Sequence, residues 1–230
     1  MNSLVNPFQL STHCKDFRAQ YPDPTELKNI FINTSNAERL GIIRLWITEG
    51  IPYAFKDYPL LYEEAREFIA RRIKVETKEV SLVGSARIGY SLSKGKWGKP
   101  FNANSDLDFT IVANSLYVSI VKDFQNWVRD LEAKKIRPNN ERQTVIWLSN
   151  IELLDKQIPK GFINTIMIPY HDNYSTVKKC YDTIYVLKKR LGATRMAPRI
   201  SDASIRVYSS WKSCINQLRI NFKSALNLWP

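Results

Sequence analysis

Two aspartates set two residues apart, Asp106 and Asp108, lie in a stretch where Leu107, Phe109 and Ile111 alternate with Asp106, Asp108 and Thr110. Strict alternation marks a strand with one face in a core. Both carboxylates therefore leave from the opposite face, with their α-carbons about 6.6 Å apart. Carboxylates so placed can bridge a pair of divalent cations. Magnesium takes oxygen ligands and is commonly completed by substrate phosphates, and a two-metal site needs its ions roughly 3.5–4 Å apart. A solvated strand edge is the ordinary alternative for an isolated Asp-x-Asp. Upstream, the short apolar run of Val80, Leu82 and Val83 ends at Gly84-Ser85. Gly84 lets the backbone approach a phosphate closely, and the Ser85 hydroxyl with neighbouring amides can form an anion-binding concavity. Arg87 follows closely enough to reach the same phosphates and is the best single cationic candidate, with a structural salt bridge as its alternative.

These residues need a scaffold. Leu40, Ile43, Trp46 and Ile47 follow helical spacing from Asn36 to Glu49, before a stop at Gly50 and Pro52. A second helix begins near Pro59, with Leu61, Ala65, Phe68, Ile69 and Ile73 on one face. Val80–Val83 then predicts a buried strand entering the Gly84-Ser85 turn. The stripe Leu116, Ile120, Val121, Phe124, Trp127, Val128 and Leu131 predicts a long helix ending before Pro138. Thr144 to Leu148 reads as a strand, Ser149 to Ile158 as a short helix opened by a Ser149/Glu152 capping box, and Phe162 to Ile168 as another strand. Beyond Pro169 the spacing predicts only helices. One is marked by Val177, Tyr181, Ile184, Leu187 and Leu191. The other begins near Ser201 and is marked by Ile205, Tyr208, Ile215, Leu218 and Phe222.

The succession of a strand, Gly84-Ser85, and a strand bearing Ser105-Asp106-Leu107-Asp108-Phe109 resembles the DNA polymerase β-like nucleotidyltransferase superfamily. The wider stretch from Ser81-Leu82-Val83-Gly84-Ser85 through Asp106-Leu107-Asp108 is similar to small bacterial proteins of that superfamily. The resemblance covers about Leu61 to Pro169. It implies an α+β fold: a short mixed sheet with flanking helices as the nucleotidyltransferase core over 59–169, an N-terminal helical segment over 1–58, and a C-terminal helical region over 170–230 packed on the core. It also implies that Gly84 and Ser85 hold the β- and γ-phosphates of a nucleoside triphosphate and that Asp106 and Asp108 coordinate two magnesium ions, with manganese as a substitute. An acceptor hydroxyl would then attack the α-phosphorus and pyrophosphate would leave.

Two departures from that pattern stand out. The segment between Ser85 and Asp106 is longer than in compact members and carries Lys94, Lys96, Trp97, Lys99 and Phe101. It can cover a nucleotide or touch nucleic acid, or be a solvated loop with one aromatic tucked onto the core. Active members also place a third carboxylate on a later strand, and the best-matched position after Gly161-Phe162-Ile163 is Asn164. Asparagine offers a carbonyl oxygen without negative charge, a poorer metal ligand and no general base. Three explanations stand at this point: another acid such as Glu152, Asp155 or Glu141 fills the role, the position carries an inactivating substitution, or catalysis is lost.

The chain has 230 residues and a formal net charge of +12, so its field attracts polyanions. Between Lys178 and Lys223 eleven Lys or Arg face only Asp182 and Asp202, and Arg206 and Lys212, at the start of the expected last helix, are further candidate phosphate contacts. The three cysteines, Cys14, Cys180 and Cys214, have neither the pairing of a disulfide framework nor zinc-site spacing, which fits a reducing, cytoplasmic setting. Met1 to Phe17 lacks a basic leader followed by an apolar run, and no stretch approaches the ~20 apolar residues of a membrane span, so neither export nor membrane insertion is expected. No Walker loop, dinucleotide fingerprint or serine-histidine-acid set is present.

Three functions follow as expectations. The first is a magnesium-dependent nucleotidyltransferase acting on NTP or dNTP, whose acceptor is a nucleic-acid end, a growing oligonucleotide signal or a protein side chain; by resemblance its setting is bacterial antiphage defence. The second is a nucleotide-binding regulatory module, antitoxin-like and without turnover, that would act through a protein partner. The third is a plain nucleic-acid-binding protein. The base, the sugar and the oligomeric state are not legible in the sequence.

Overall fold

The computed structural model describes residues 11–227. Residues 1–10 and 228–230, which belong to the expected leader-free N-terminus and to the outer parts of the 1–58 and 170–230 segments, lie outside the described residues.

Helix α1 (Pro24–Asn33) starts on Asp23, whose carboxylate accepts from the Thr25 amide at 2.7 Å, and has Pro24 in its first turn. Helix α2 (Asn36–Ile42) opens on a Ser35/Glu38 capping box and runs on as a π-helical turn, Ile43–Thr48, up to Gly50 at φ +81°. Helix α3 (Pro59–Ile73) begins with proline and ends on Lys74 in the left-handed region. Strand β1 (Val80–Val83) follows as the sequence predicts. The expected turn after it continues as a one-turn helix, α4 (Ser85–Ile88), and strand β2 (Asp106–Val112) and helix α5 (Asn114–Glu132) again follow as predicted.

The next segment differs. Residues expected as a strand and a short helix form one helix, α6 (Glu141–Gln157), capped by Asn140, whose side chain accepts from the Gln143 amide at 2.9 Å. The β-branched run at Val145-Ile146 imitates a buried strand, yet Val145 and Leu148 are exposed, and Trp147 packs edge-on against Trp127. Ser149 lies inside the helix rather than capping one. Strand β3 covers only Phe162–Asn164, not Phe162–Ile168, because a 3-10 turn at Thr165–Met167 follows, with the Thr165 hydroxyl donating to the Ile205 carbonyl at 2.9 Å.

Helix α7 (Ser175–Ala193) is where the apolar spacing predicts it. The helix expected from Ser201 is two elements: strand β4 (Asp202–Tyr208), then helix α8 (Trp211–Ala225) capped by Ser210. The C-terminal segment is therefore not wholly helical. It supplies a central strand, since the sheet order is β1-β2-β4-β3, with β2 and β4 parallel and both outer pairs antiparallel. The architecture is α+β with a small mixed sheet. No helix among the described residues is long and apolar enough to cross a membrane.

One sheet face, carrying Leu82, Leu107, Phe109, Ile111, Ile163, Ile205 and Val207, is buried with α3, α5 and α7 in the main core. The other face grades from polar to apolar along the strands. On β2 it reads Asp106, Asp108, Thr110, Val112, and on β4 Asp202, Ser204, Arg206, Tyr208. Its apolar end is covered by α1, α2 and α8, with Phe31, Ile43, Ile47, Cys214 and Phe222 packed around Val112, Phe162 and Tyr208. The polar end stays accessible, with Asp106 and Asp108 exposed.

Candidate functional site

Val83 is in register with Asp108 across the β1–β2 pair, so the turn after β1 is delivered to the acidic face. Gly84 makes that turn at φ +70°, ψ −148°, a region open essentially to glycine. A β-carbon at Gly84 would lie 3.4 Å from Asp108 Oδ2. The turn and the carboxylate are thus close enough that a single methyl would bring them into contact, although more than twenty residues of chain separate them.

The parallel partner of β2 adds groups that sequence reasoning missed. Asp106 is in register with Asp202, Asp108 with Ser204 and Thr110 with Arg206. The Ser204 hydroxyl donates to Asp108 Oδ1 at 3.0 Å and the Ser201 hydroxyl donates to Asp106 Oδ1, so each carboxylate is steered through one oxygen. Asp202 lies on the same face, but its carboxylate is held by Lys188 of α7 at 2.6 Å and by the Ala203 amide at 2.8 Å. Partial burial would raise its pKa; these contacts outweigh that and leave it below the ordinary value. The signal for β4 was available: Asp202-Ala203-Ser204-Ile205-Arg206-Val207 alternates polar and apolar as strictly as β2 does.

A cleft of about 370 Å³ opens over this face. Gly84, Ser85, Asp108 and Arg206 line it on the sheet side, Ser93 and Lys94 from the long loop close one flank, and Ile47, Leu218 and Phe222 form an apolar wall. The loop is anchored by Trp97, whose indole packs edge-on to Phe222 and donates to the Pro24 carbonyl at 3.3 Å. Its aromatic is thus structural, while its Lys94 reaches the cleft. Arg206 points under α8 with its Nε buried and unpartnered among the described residues. Beside it, burial pushes the Tyr208 hydroxyl up to about 12, against the lowering effect of the Arg206 charge.

Of the residues singled out from sequence, Gly84, Ser85, Asp108 and Arg206 line the cleft, although Arg206 belongs to a strand and not to a helix start, and Asp106 shares the exposed β2 face with Asp108 without lining the cleft. Three others are elsewhere. Arg87 is 2% exposed and turns beneath residues 49–51, with Nη1 donating to the Ile51 carbonyl at 3.3 Å. Burial lowers its pKa against the raising influence of Tyr21, Tyr62 and Glu49. It does not line the cleft, because the α4 turn points residue 87 away from residue 85. Lys212 is exposed in the first turn of α8, outside the cleft. Asn164 is in register with Arg206 on β3, two strands from β2 and hence about 10 Å across the sheet from it, with its Oδ1 buried and unpartnered among the described residues. The acid in register beside the aspartate pair is Asp202, not a residue of β3. Glu141, Glu152 and Asp155 belong to α6, which packs on the opposite core, and none of them lines the cleft. Glu152 instead pairs with Lys156 along the helix surface.

Among the described residues no three acidic, histidine or cysteine side chains stand close enough to hold a metal ion together. A cation at this face would rest on Asp106 and Asp108 plus oxygens brought by a ligand. Comparison with protein-family models, with curated proteins and with solved structures found no match to the chain.

Proposed function

We propose that this chain is a magnesium-dependent nucleotidyltransferase of polymerase β-like type, moving a nucleoside monophosphate from a triphosphate to an acceptor hydroxyl. The observation that carries the proposal is the convergence of the Gly84-Ser85 turn on the face of Asp106 and Asp108, with Arg206 and Lys94 lining the same cleft. The small mixed sheet is compatible in kind with that fold.

The donor set fits magnesium. Two exposed carboxylates share a face, each with one oxygen engaged by a serine and the other open to a ligand, and magnesium is commonly held by one or two carboxylates plus substrate phosphates. When bound, the metal supplies neutralisation of phosphate charge and of the charge developing on pyrophosphate. The chain's residues do the rest. Ser85 donates to a phosphate oxygen, and Lys94 and Arg206 place positive charge beside the triphosphate. Ser201 and Ser204 orient the two carboxylates. Asp202, in register with Asp106, is the acid we assign to take the proton of the acceptor hydroxyl once Lys188 releases it. The acceptor oxygen forms a bond to the α-phosphorus, the bond from that phosphorus to the bridging oxygen breaks, and pyrophosphate leaves with the electron pair.

Incubation with each labelled NTP and dNTP and magnesium tests this. A transferred label or released pyrophosphate is expected, and Asp106→Ala lowers it on the order of 100-fold or more. If every triphosphate stays intact with magnesium and with manganese, the proposal fails. The Lys188–Asp202 ion pair favours one second reading, a nucleotide-binding module without turnover. It predicts magnesium-dependent triphosphate binding with no product, both in the natural chain and in Lys188→Ala, where Asp202 is freed.

A further inference from the structure

A second and larger cavity, about 660 Å³, lies beside β1 between the π-helical turn and the start of α8, and shares no lining residue with the cleft. Its position follows from the fold. β1 is an edge strand, and its buried Val80 and Ser81 form part of the cavity lining. The first turn of α8 brings Trp211 to the rim, and the π-helical turn brings Arg44 and Thr48. The cationic lining is Arg44, Arg66 and Lys78 against the single acid Glu49. Arg44 and Lys78 are exposed, whereas Arg66 is fixed by donating to the Val80 carbonyl and the Thr77 carbonyl, both at 2.8 Å, and to Glu63.

Two further features separate this cavity from an ordinary basic surface. Trp211 is 42% exposed at its mouth, a large aromatic face left open beside cations. Ser81 lines the cavity and is 6% exposed, with its Oγ buried and without a hydrogen-bond partner among the described residues. Leaving such a hydroxyl unsatisfied is costly, and a ligand oxygen at the cavity floor would satisfy it. Cations matched to phosphate, a flat aromatic matched to a base and a buried hydroxyl at the floor are the parts by which proteins hold a nucleotide unit. An acidic peptide would use the cations and leave Trp211 without a role.

We infer that this cavity is a second nucleotide-binding site, in which Arg44, Arg66 and Lys78 hold phosphate while Trp211 stacks on the base. It is independent of the aspartate cleft and of the transfer reaction. The unit bound is either a free nucleotide or one residue of a single-stranded nucleic acid, which share this chemistry.

The test uses the full chain in EDTA, where the aspartate cleft has no metal to bridge it to phosphate. Two probes are titrated, 5′-AMP by calorimetry and a dye-labelled single-stranded octanucleotide by anisotropy. Binding of the octanucleotide alone assigns a nucleic-acid strand, and binding of AMP with comparable affinity assigns a free nucleotide. In either case Arg44→Glu, Lys78→Glu and Trp211→Ala each weaken binding about tenfold or more, and Trp211→Tyr retains most of it. Asp106→Ala leaves it unchanged. For the strand, the logarithm of affinity falls with the logarithm of salt with a slope of about −0.7 for each phosphate neutralised, and so about −1.4 if the cations meet the phosphates on both sides of the stacked base. Circular dichroism of each variant confirms that it is folded. The inference is overturned if neither probe binds at millimolar concentration, if the three variants bind like the natural chain, or if poly-glutamate competes as well as the oligonucleotide. Loss of nucleotidyl transfer in Asp106→Ala with this binding intact separates the fate of the two proposals.

Discussion

Replacing Gly84 with alanine tests the joint between the turn and the acidic face. At φ +70° and ψ −148° a residue with a β-carbon is held in a region that costs about 1–3 kcal/mol. The added methyl would also lie 3.4 Å from Asp108 Oδ2, in the space between the turn and the carboxylate. For a chain of this size about 1–3 kcal/mol corresponds to a fall in melting temperature of roughly 2–12 °C. Gly95→Ala is the control, because Gly95 also has positive φ, +75°, but a β-carbon there meets nothing within 4 Å. Thermal melts and calorimetric titration with magnesium-ATP should separate the two effects. Both variants lose stability, but only Gly84→Ala weakens nucleotide binding, by about tenfold, since it alone intrudes beside Asp108. A Gly84→Ala protein as stable as the natural chain and binding nucleotide equally well would refute the account of this turn.

Other perturbations have equally definite outcomes. Asp123, 6% exposed on α5, accepts from the Thr176 and Val177 amides at 2.8 and 3.0 Å and so ties the start of α7 to α5. Asp123→Ala should cost about 2–4 kcal/mol in urea unfolding, from the loss of two charge-assisted bonds that leaves buried amides unpaired; a loss under 1 kcal/mol would contradict this. Burial pushes the thiols of Cys180 and Cys214 up to about 12, while Cys14 is partly exposed. A thiol reagent at pH 8 should therefore modify one cysteine in the native protein and three after denaturation, and rapid modification of all three without denaturant would be inconsistent with the packing. Arg87→Met should leave magnesium-ATP affinity within about twofold and stability nearly unchanged, since a buried cation with one carbonyl partner is replaced by an apolar chain of similar length. A large loss of nucleotide affinity would return Arg87 to the phosphate site.

The sequence was most informative where periodicity and punctuation agreed. Pro59, the α5 stripe and the run into Gly84 each coincide with an observed boundary or buried face, and the alternation around Asp106 and Asp108 carries through to an exposed acidic face on β2. It misled where two periods fit the same letters. Ile205 and Tyr208 are three residues apart and so extend the helical spacing of α8 backwards, masking the period-two pattern of Asp202–Val207. That one confusion hid Asp202 and Ser204, and it assigned Arg206 to a helix start. In α6 the β-branched Val145 and Ile146 suggested a strand, but the cap at Asn140 and the packing of Trp147 and Leu154 favour a helix with much of its apolar surface exposed. Side-chain direction in the α4 turn was not legible at all: Arg87 is two residues from Ser85, yet tertiary packing turns it toward Ile51. The row of Asn164 beside Arg206, instead of beside the aspartates, follows from strand order, which no local pattern encodes.

The most direct measurement is calorimetric titration of ATP into the natural chain and into Asp108→Asn, each with and without magnesium. If the Gly84-Ser85 turn and the aspartate pair form a metal-triphosphate site, binding appears only with magnesium and falls at least tenfold in Asp108→Asn, whose amide removes the charge beside Gly84 while preserving shape. Affinity that is equal with and without magnesium, and unchanged in Asp108→Asn, would contradict it.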